Sequence, residues 1–375
     1  MEFLKLAEKW NGFAPVREKR LSEAKVANFV SLVTNEKGMP SHQWEYLLKE
    51  VITTDDFPDL LGFVIDREIL TKYRAAVTDW KSYFKMAKLA NFNTVRRHKV
   101  QGADDELDEV VEKGEYLVTP MSDCYYSYNL KKYGKQFDIS WESLVNDIMN
   151  AFGDIGDRFA TAVIRSEARM ATETYAAATG PNTSLFGATI TDSCDSQAIT
   201  NLGGLALSIA NLQTTMGLMA AQVDVLGEPI LVRAQHLVVP PELEFTAREI
   251  LTSSMQMWTQ VAAGGAAPYP MTNVIPQMGL KLHVDPYLTA VDTTNGDTTW
   301  YLFADPSQGA AMEFGYLRGH ETPEICMHGS DKVTVAGGSI SPFAGDFATD
   351  NIIYRVRQVM GSVQLDPRFA YAQVG

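Results

Sequence analysis

The amino-acid sequence predicts an α+β fold. Three observations predict it: a run of helical apolar spacing far longer than usual, a charged two-stranded ribbon ahead of it, and a second half that alternates strands with short helices. The long helix opens at Ser140, a side chain suited to capping free N–H groups, with Glu142 favourable in the first turn. Leu144, Ile148, Phe152, Ile155, Phe159 and Val163 follow at spacings of three and four, so they share one face and are expected to be buried. Good helix formers continue to about Ala178, and Gly180-Pro181 ends the run. At 1.5 Å per residue such a helix is on the order of 50 Å long, against the usual three or four turns. Gly153 and Gly156 are where it can bend.

Ahead of it, residues 91–139 read as the ribbon. Asn93 to Val100 alternates β-favouring and charged residues, with Arg96, Arg97 and Lys99 close together. A dense acidic run follows Gly102, through Asp104, Asp105, Glu106, Asp108, Glu109, Glu112 and Glu115. The chain is strand-like again through Tyr116-Leu117-Val118 and Tyr125, Tyr126 and Tyr128. A hairpin of this kind is at best marginal alone in water, so it is expected to pack on something else. The first 90 residues read as helix and loop without a long strand, with a helix-like run from Leu60 through Trp80.

A polar connection from Gly180 to Ser196 is the best internal boundary. Beyond it Leu202, Leu205, Ile209, Leu212, Met216, Met219 and Val223 predict a core helix packed on a sheet. Pro229 to Val239 reads as a strand ended by Pro240-Pro241, and Glu242 to Ser253 as an amphipathic helix. From Leu280 the pattern is strands and turns, including Trp300 to Phe303 and Ile352 to Val359.

Composition narrows the function classes. The 375 residues are 46% hydrophobic and 21% charged, enough to bury a core. Thirty-two Lys and Arg stand against 46 Asp and Glu, a net charge of -14, which argues against an electrostatic grip on nucleic acid or anionic membrane. Cys124, Cys194 and Cys326 are odd in number and widely spaced; they fit no disulfide framework and no paired zinc motif, and a reducing compartment is expected. No signal peptide is evident, and no apolar run approaches the ~18 residues of a membrane span.

Chemistry-bearing motifs are scarce. The sequence has no phosphate loop of the Walker type, no GxSxG elbow and no HExxH motif. Gly203-Gly204 and Gly264-Gly265 lack the third glycine of a nucleotide fingerprint, and Cys326 with His328 is best read as two side chains on one strand face. His42, His98, His236, His283 and His320 share no spacing. No cofactor, metal or catalytic residue is therefore expected, although a triad can assemble from distant residues.

Several stretches taken together resemble the major capsid (major head) proteins of tailed bacteriophages, in the Mu-like branch of the Hong Kong 97-type fold. They are Thr53-Thr54-Asp55-Asp56-Phe57-Pro58-Asp59-Leu60-Leu61; Tyr133-Gly134-Lys135-Gln136-Phe137-Asp138-Ile139-Ser140; Leu237-Val238-Val239-Pro240-Pro241-Glu242-Leu243-Glu244 with Ala247, the most specific; and Trp300-Tyr301-Leu302-Phe303-Ala304-Asp305-Pro306. The resemblance covers about residue 50 onward and departs from the Mu-like pattern between Met327 and Ile340. It leaves no room ahead of the matching region for the N-terminal protease or long scaffolding segment of many relatives.

The resemblance implies an N-terminal arm and helical segment at 1–90, an extended loop at 91–139 and a peripheral domain with a spine helix at 140–199. An axial domain at 200–300, peripheral return strands at 301–357 and a closing strand at 358–375 complete it. It implies a structural protein rather than an enzyme, one that self-assembles as pentamers and hexamers into an icosahedral head, made in the host cytoplasm and resident in the virion. Expected partners are further copies of itself and portal, scaffolding and decoration proteins. Double-stranded DNA is enclosed without sequence-specific binding, and no membrane is involved. Inter-subunit contacts are expected from Arg96, Arg97, Lys99, Asp104, Asp105, Glu106, Asp108 and Glu109 of the extended loop. Lys99, Lys113 and Asn351 match no recognisable cross-linking pattern, so no covalent ladder is expected. An encapsulin-type compartment shell of the same fold is the alternative, and a soluble hydrolase a distant one.

Overall fold

The computed structural model describes residues 70–76, 78–101, 109–110, 112–116, 118, 122–140, 149–191, 194, 198–259, 268–332, 346–349 and 351–375. The chain divides into two compact units. The larger comprises Ile69–Lys135, Asp157–Glu324 and Val356–Gly375; the described residues of the smaller come from Gln136–Gly156 and Ile325–Arg355.

The described strands are β1 (Lys85–Leu89), β2 (Val95–Gln101), β3 (Ser122–Tyr128), β4 (Lys131–Ile139), β5 (Ala176–Ala177), β6 (Gly180–Pro181), β7 (Ile190–Thr191), β8 (Ala198–Ile199) and β9 (Leu202–Gly203). They continue with β10 (Ala234–Val239), β11 (Met255–Thr259), β12 (Pro268–Thr272), β13 (Lys281–Val284), β14 (Trp300–Ala304), β15 (Met312–Leu317), β16 (Glu324–Met327), β17 (Ile352–Gln364) and β18 (Ala370–Gln373). The helices are α1 (Met149–Tyr175), α2 (Ile209–Ala220), α3 (Glu244–Thr252) and the single turn α4 (Leu288–Val291). The mixture is α+β, as the sequence predicts.

The larger unit is built around a five-stranded sheet in the order β13-β10-β14-β18-β9. Its centre, β14, is buried at all five residues because both faces of the sheet are covered. Alternation along the strand decides which cover each side chain meets. Tyr301 and Phe303 pack with Ala171 and Tyr175 of α1, whereas Trp300 and Leu302 pack with Leu212 and Met219 of α2 and Ala247 and Ile250 of α3. A covered sheet needs an unbroken apolar strand, and Trp300 to Ala304 is one. In the same unit β1 runs parallel to β15, and β15 runs antiparallel to the Met360–Gln364 part of β17. In the smaller unit β17 continues through 352–355 beside the end of β16, where His328 N donates to Ile353 O at 2.8 Å.

Several elements are shorter than their sequence pattern suggests. Residues 70–75 are helical, but the run does not reach Trp80: a 3-10 turn at Asp79–Ser82 and then the five-residue strand β1 follow instead. The long helix stops at Tyr175 rather than Ala178, because Ala176-Ala177 folds back against Gly180-Pro181 as a hairpin. Among its predicted apolar face, Phe159 and Val163 are buried; the side chains of Leu144, Ile148, Phe152 and Ile155 lie outside the described residues. The helix around Leu212 begins at Ile209, where Ser208 caps it by accepting from Asn211 N at 3.2 Å. Leu202 belongs instead to β9, and the strand ending at Val239 begins at Ala234 rather than Pro229.

Candidate functional site, a two-faced ribbon

Strands β2 and β3 pair antiparallel as their own two-stranded sheet, from Val95 opposite Tyr128 to Gln101 opposite Ser122. A strand turns successive side chains to opposite faces, and exposure alternates along both strands accordingly. Val95, Arg97 and Lys99, with Cys124, Tyr126 and Tyr128 opposite them, form the more buried face. Arg96, His98 and Val100, with Asp123, Tyr125 and Ser127, form the exposed one. Arg96 and Arg97 are neighbours in sequence and therefore cannot serve the same surface.

Among the described residues, the anchors of the inner face to the chain's own body include three. Arg97 donates from Nε to Glu313 Oε1 at 2.7 Å, and Tyr128 Oη donates to the same oxygen at 2.6 Å. Glu313 lies on β15 and is fully buried, so it is a carboxylate that needs these donors. Gly315 makes room for the tyrosine: a Cβ there would stand 2.6 Å from Tyr128 Oη. Lys99 Nζ donates to Asp366 Oδ2 at 2.5 Å, while Asp366 Oδ1 accepts from Arg368 N at 3.1 Å and Nη1 at 3.3 Å. Third, Cys124 is disulfide-bonded to Cys194, with the Cα atoms 5.4 Å apart. This corrects the expectation of three unpaired cysteines; the free one among them is Cys326, exposed on β16.

The outer face is held within itself. The Arg96 guanidinium lies 4.6 Å from the centroid of the Tyr125 ring, and His98 Nδ1 is 3.0 Å from Asp123 Oδ2. Tyr125 is 46% and Val100 63% exposed, which leaves an apolar and cationic surface uncovered by this chain. Of the acidic run, Glu109 is exposed; Asp104, Asp105, Glu106 and Asp108 lie outside the described residues. Lys99 is engaged by Asp366, and Asn351 Nδ2 donates to Asp138 Oδ2 at 3.3 Å, so these two meet intrachain carboxylates.

One titratable cluster lies apart from the ribbon. A β-bulge between Ala234 and His236 changes which face of β10 the following residues present. On the neighbouring parallel strand β13, His283 Nε2 lies 2.9 Å from His236 Nδ1, both rings buried beside Tyr83. Ser82 Oγ lies 3.4 Å from the same His283 Nε2. A catalytic base needs one nitrogen for its nucleophile and the other for an orienting group; here both contacts use one nitrogen, so the geometry is not that of a triad. Burial lowers the pKa of His236 to about 4, with help from the charges of His283 and Lys281 and against that of Asp305; burial also lowers that of His283. Nearby Asp285, which accepts from Thr172 Oγ1 at 2.5 Å and from Tyr175, is raised by burial, as is Glu167.

These shifts set a sign. Between an unfolded histidine pKa of about 6.5 and the folded value, the unfolded chain binds the proton and the folded one does not, so the pair's contribution falls as pH falls through that window. Asp285 and Glu167 act oppositely, since a raised carboxyl favours the folded state as pH falls. Denaturation at pH 7 and pH 5 should therefore show a smaller acid-induced loss in His236→Gln than in the parent. Equal losses would mean that His236 takes up its proton as readily in the folded protein as in the unfolded chain.

With this geometry in view, the sequence matches the family model for phage capsid protein over residues 125–373, more than half of the chain. The chain belongs to the phage capsid protein family. No curated protein matches it. Solved structures similar to it include the capsid of Myoviridae phage XM1, at 10% identity and a TM-score of 0.47 over 80% of this chain and 92% of that one. Gordonia phage Cozz is similar at 12% and 0.44, over 78% and 84%, and the holo-SrpI encapsulin complex of Synechococcus elongatus at 11% and 0.45, over 78% and 84%. As a phage capsid protein the chain is a structural component of the virion. Its matched segment begins within β3 and takes in the covered sheet, so Tyr125 to Tyr128 of the ribbon's second strand and the anchors Asp366 and Glu313 lie inside the family region.

Proposed function

We propose that this phage capsid protein is the major shell subunit of a tailed phage, assembling as pentamers and hexamers into an icosahedral head of the Hong Kong 97 type. The head encloses double-stranded DNA and performs no catalysis. The observation that carries the reading is the two-faced ribbon, one side fastened to its own subunit and the other offering Arg96, Val100 and Tyr125 outward. In this reading 91–139 is the extended loop, 140–199 the peripheral domain with its spine, 200–300 the axial domain, 301–357 the return strands and 358–375 the closing strand. Portal, scaffolding and decoration proteins are its further partners, and assembly takes place in the host cytoplasm.

The outer face narrows the contact. Arg96 faces a neighbouring copy, with the acidic run of Asp104, Asp105, Glu106, Asp108 and Glu109 as its counter-charge, whereas Arg97 and Lys99 position the ribbon from below. A single exposed pair contributes about 0–1 kcal/mol and is screened by salt, but a shell repeats it at every contact. Arg96→Glu should leave the isolated subunit as stable as the parent and slow shell formation at low ionic strength, as followed by sedimentation and electron microscopy. Normal assembly of Arg96→Glu at low salt would remove the outer face from the contact. Particles that hold a protein cargo and no DNA would point to a compartment shell instead.

A further inference from the structure

We propose that Cys124 and Cys194 are a redox latch, open while the subunit assembles and closed afterwards, that decides whether the ribbon is pinned to its own subunit. The inference rests on the capsid reading for its timing but not for its chemistry.

Three features of the ribbon point to it. Cys124 stands on the inner face of β3, opposite Lys99 in the register, at the part of the ribbon farther from Tyr128. Its bond to Cys194 joins residues 70 apart in sequence, and Cys194 is buried in the connection between α1 and β9. The remaining fastenings differ in kind: Lys99 with Asp366 and Arg97 with Glu313 are ion pairs whose cationic side chains are 29% and 36% exposed. Salt and competing charges loosen such pairs, while the covalent clamp opens only by thiol exchange. With the bond reduced, the Lys99–Asp366 ion pair remains at the end of the ribbon nearest the acidic run.

The chemistry balances with a low-molecular-weight disulfide such as oxidised glutathione as oxidant. The Cys124 thiolate, the more exposed of the two, attacks one sulfur of the oxidant; its S–S bond breaks and one glutathione thiolate leaves and takes up a proton. The Cys194 thiolate then attacks Cys124 Sγ in the mixed disulfide and expels the second glutathione. Two protein thiols are oxidised and one glutathione disulfide is reduced to two thiols. A reducing cytosol holds the pair open, leaving the ribbon free to settle across neighbours, and release into oxidising surroundings closes it.

The test uses the full chain, as subunits and as particles, equilibrated with reduced or oxidised glutathione. Alkylation under denaturing, non-reducing conditions should find three reactive thiols in the reduced sample; in the oxidised one Cys124 and Cys194 should appear as a linked peptide pair, and Cys326 as a free thiol or its glutathione mixed disulfide. Hydrogen exchange of 95–101 and 122–128 should be about tenfold faster in the reduced protein, a change that loss of one local anchor can produce. Cys326→Ser should leave both readouts as in the parent, and Cys194→Ser should fix the fast state whatever the buffer. Three reactive thiols in the oxidised sample, or equal ribbon exchange in both samples, would overturn the latch. Particle formation is scored separately by electron microscopy: its failure in both buffers counts against the capsid reading, while the thiol count on subunits still decides the latch.

Discussion

Replacing Trp300 with alanine should destabilise the subunit by about 5 kcal/mol, the upper end of the range for removing a large buried aromatic. Trp300 has 0% exposure and lies on the central strand of a sheet covered on both faces, so no solvent can fill the space it leaves. Its indole Nε1 also donates to Leu205 O at 2.9 Å, and truncation would strand that carbonyl. Trp300→Phe should recover most of the packing and lose the hydrogen bond, leaving a deficit of roughly 1–2 kcal/mol. Chemical denaturation of the isolated subunit would show both. A loss below about 2 kcal/mol for the alanine variant would mean that the two layers collapse onto the site more readily than a rigid sheet permits.

Arg97→Met should cost roughly 3 kcal/mol, for a different reason. The methionine keeps much of the hydrophobic stem, but Glu313, fully buried on β15, loses its charged donor and keeps only Tyr128. Arg97 itself is 36% exposed, which places the cost at the low end for a broken buried pair. The partner change tells charge from packing. Glu313→Gln in the Arg97→Met background removes the stranded charge while still accepting from Tyr128, and should recover more than half of the loss. If the double variant is no better than the single one, the ion pair contributes little and the ribbon is held by shape. Arg97→Glu would lower subunit stability through the loss of its pair with Glu313, so it could not separate folding from the contact between copies proposed for Arg96.

The parts of this fold that were legible in the sequence are those in which local pattern and burial coincide. Trp300 to Ala304 is apolar without a break because both faces of β14 are covered, and the Pro240-Pro241 pair ends β10 because proline has no N–H for the ladder. The ribbon was legible as a ribbon, and its two faces could have been read as well: a period of two separates Arg96 from Arg97 whatever the surroundings. What lay out of reach were the long-range partners. Lys99 and Asp366 are 267 positions apart, Arg97 and Glu313 are 216 apart, and no spacing rule relates residues brought together only by the closed fold. The Cys124–Cys194 bond escaped for the same reason, since an odd number of scattered cysteines carries no framework. His236 and His283 meet across parallel strands, in a register that pairs His236 with Lys281 and Val238 with His283.

The order of strands in the covered sheet bears on how the subunit is made. β18 lies between β14 and β9, yet Ala370 to Gln373 leave the ribosome long after Leu202 and Gly203. At about 5–20 residues per second, the nascent β9 waits roughly 10–30 s for the strand it must pair with. For the last part of that interval, roughly 3–13 s after β14 is made, the strand carrying Tyr301 and Phe303 can gain β10 on one side only, and its other edge stands open. Translation therefore sets a period in which this wholly buried, apolar strand is available to chaperones or to other nascent chains. A message truncated before Ala370 would yield a chain whose sheet cannot close, one that proteolysis can remove before it poisons a growing shell.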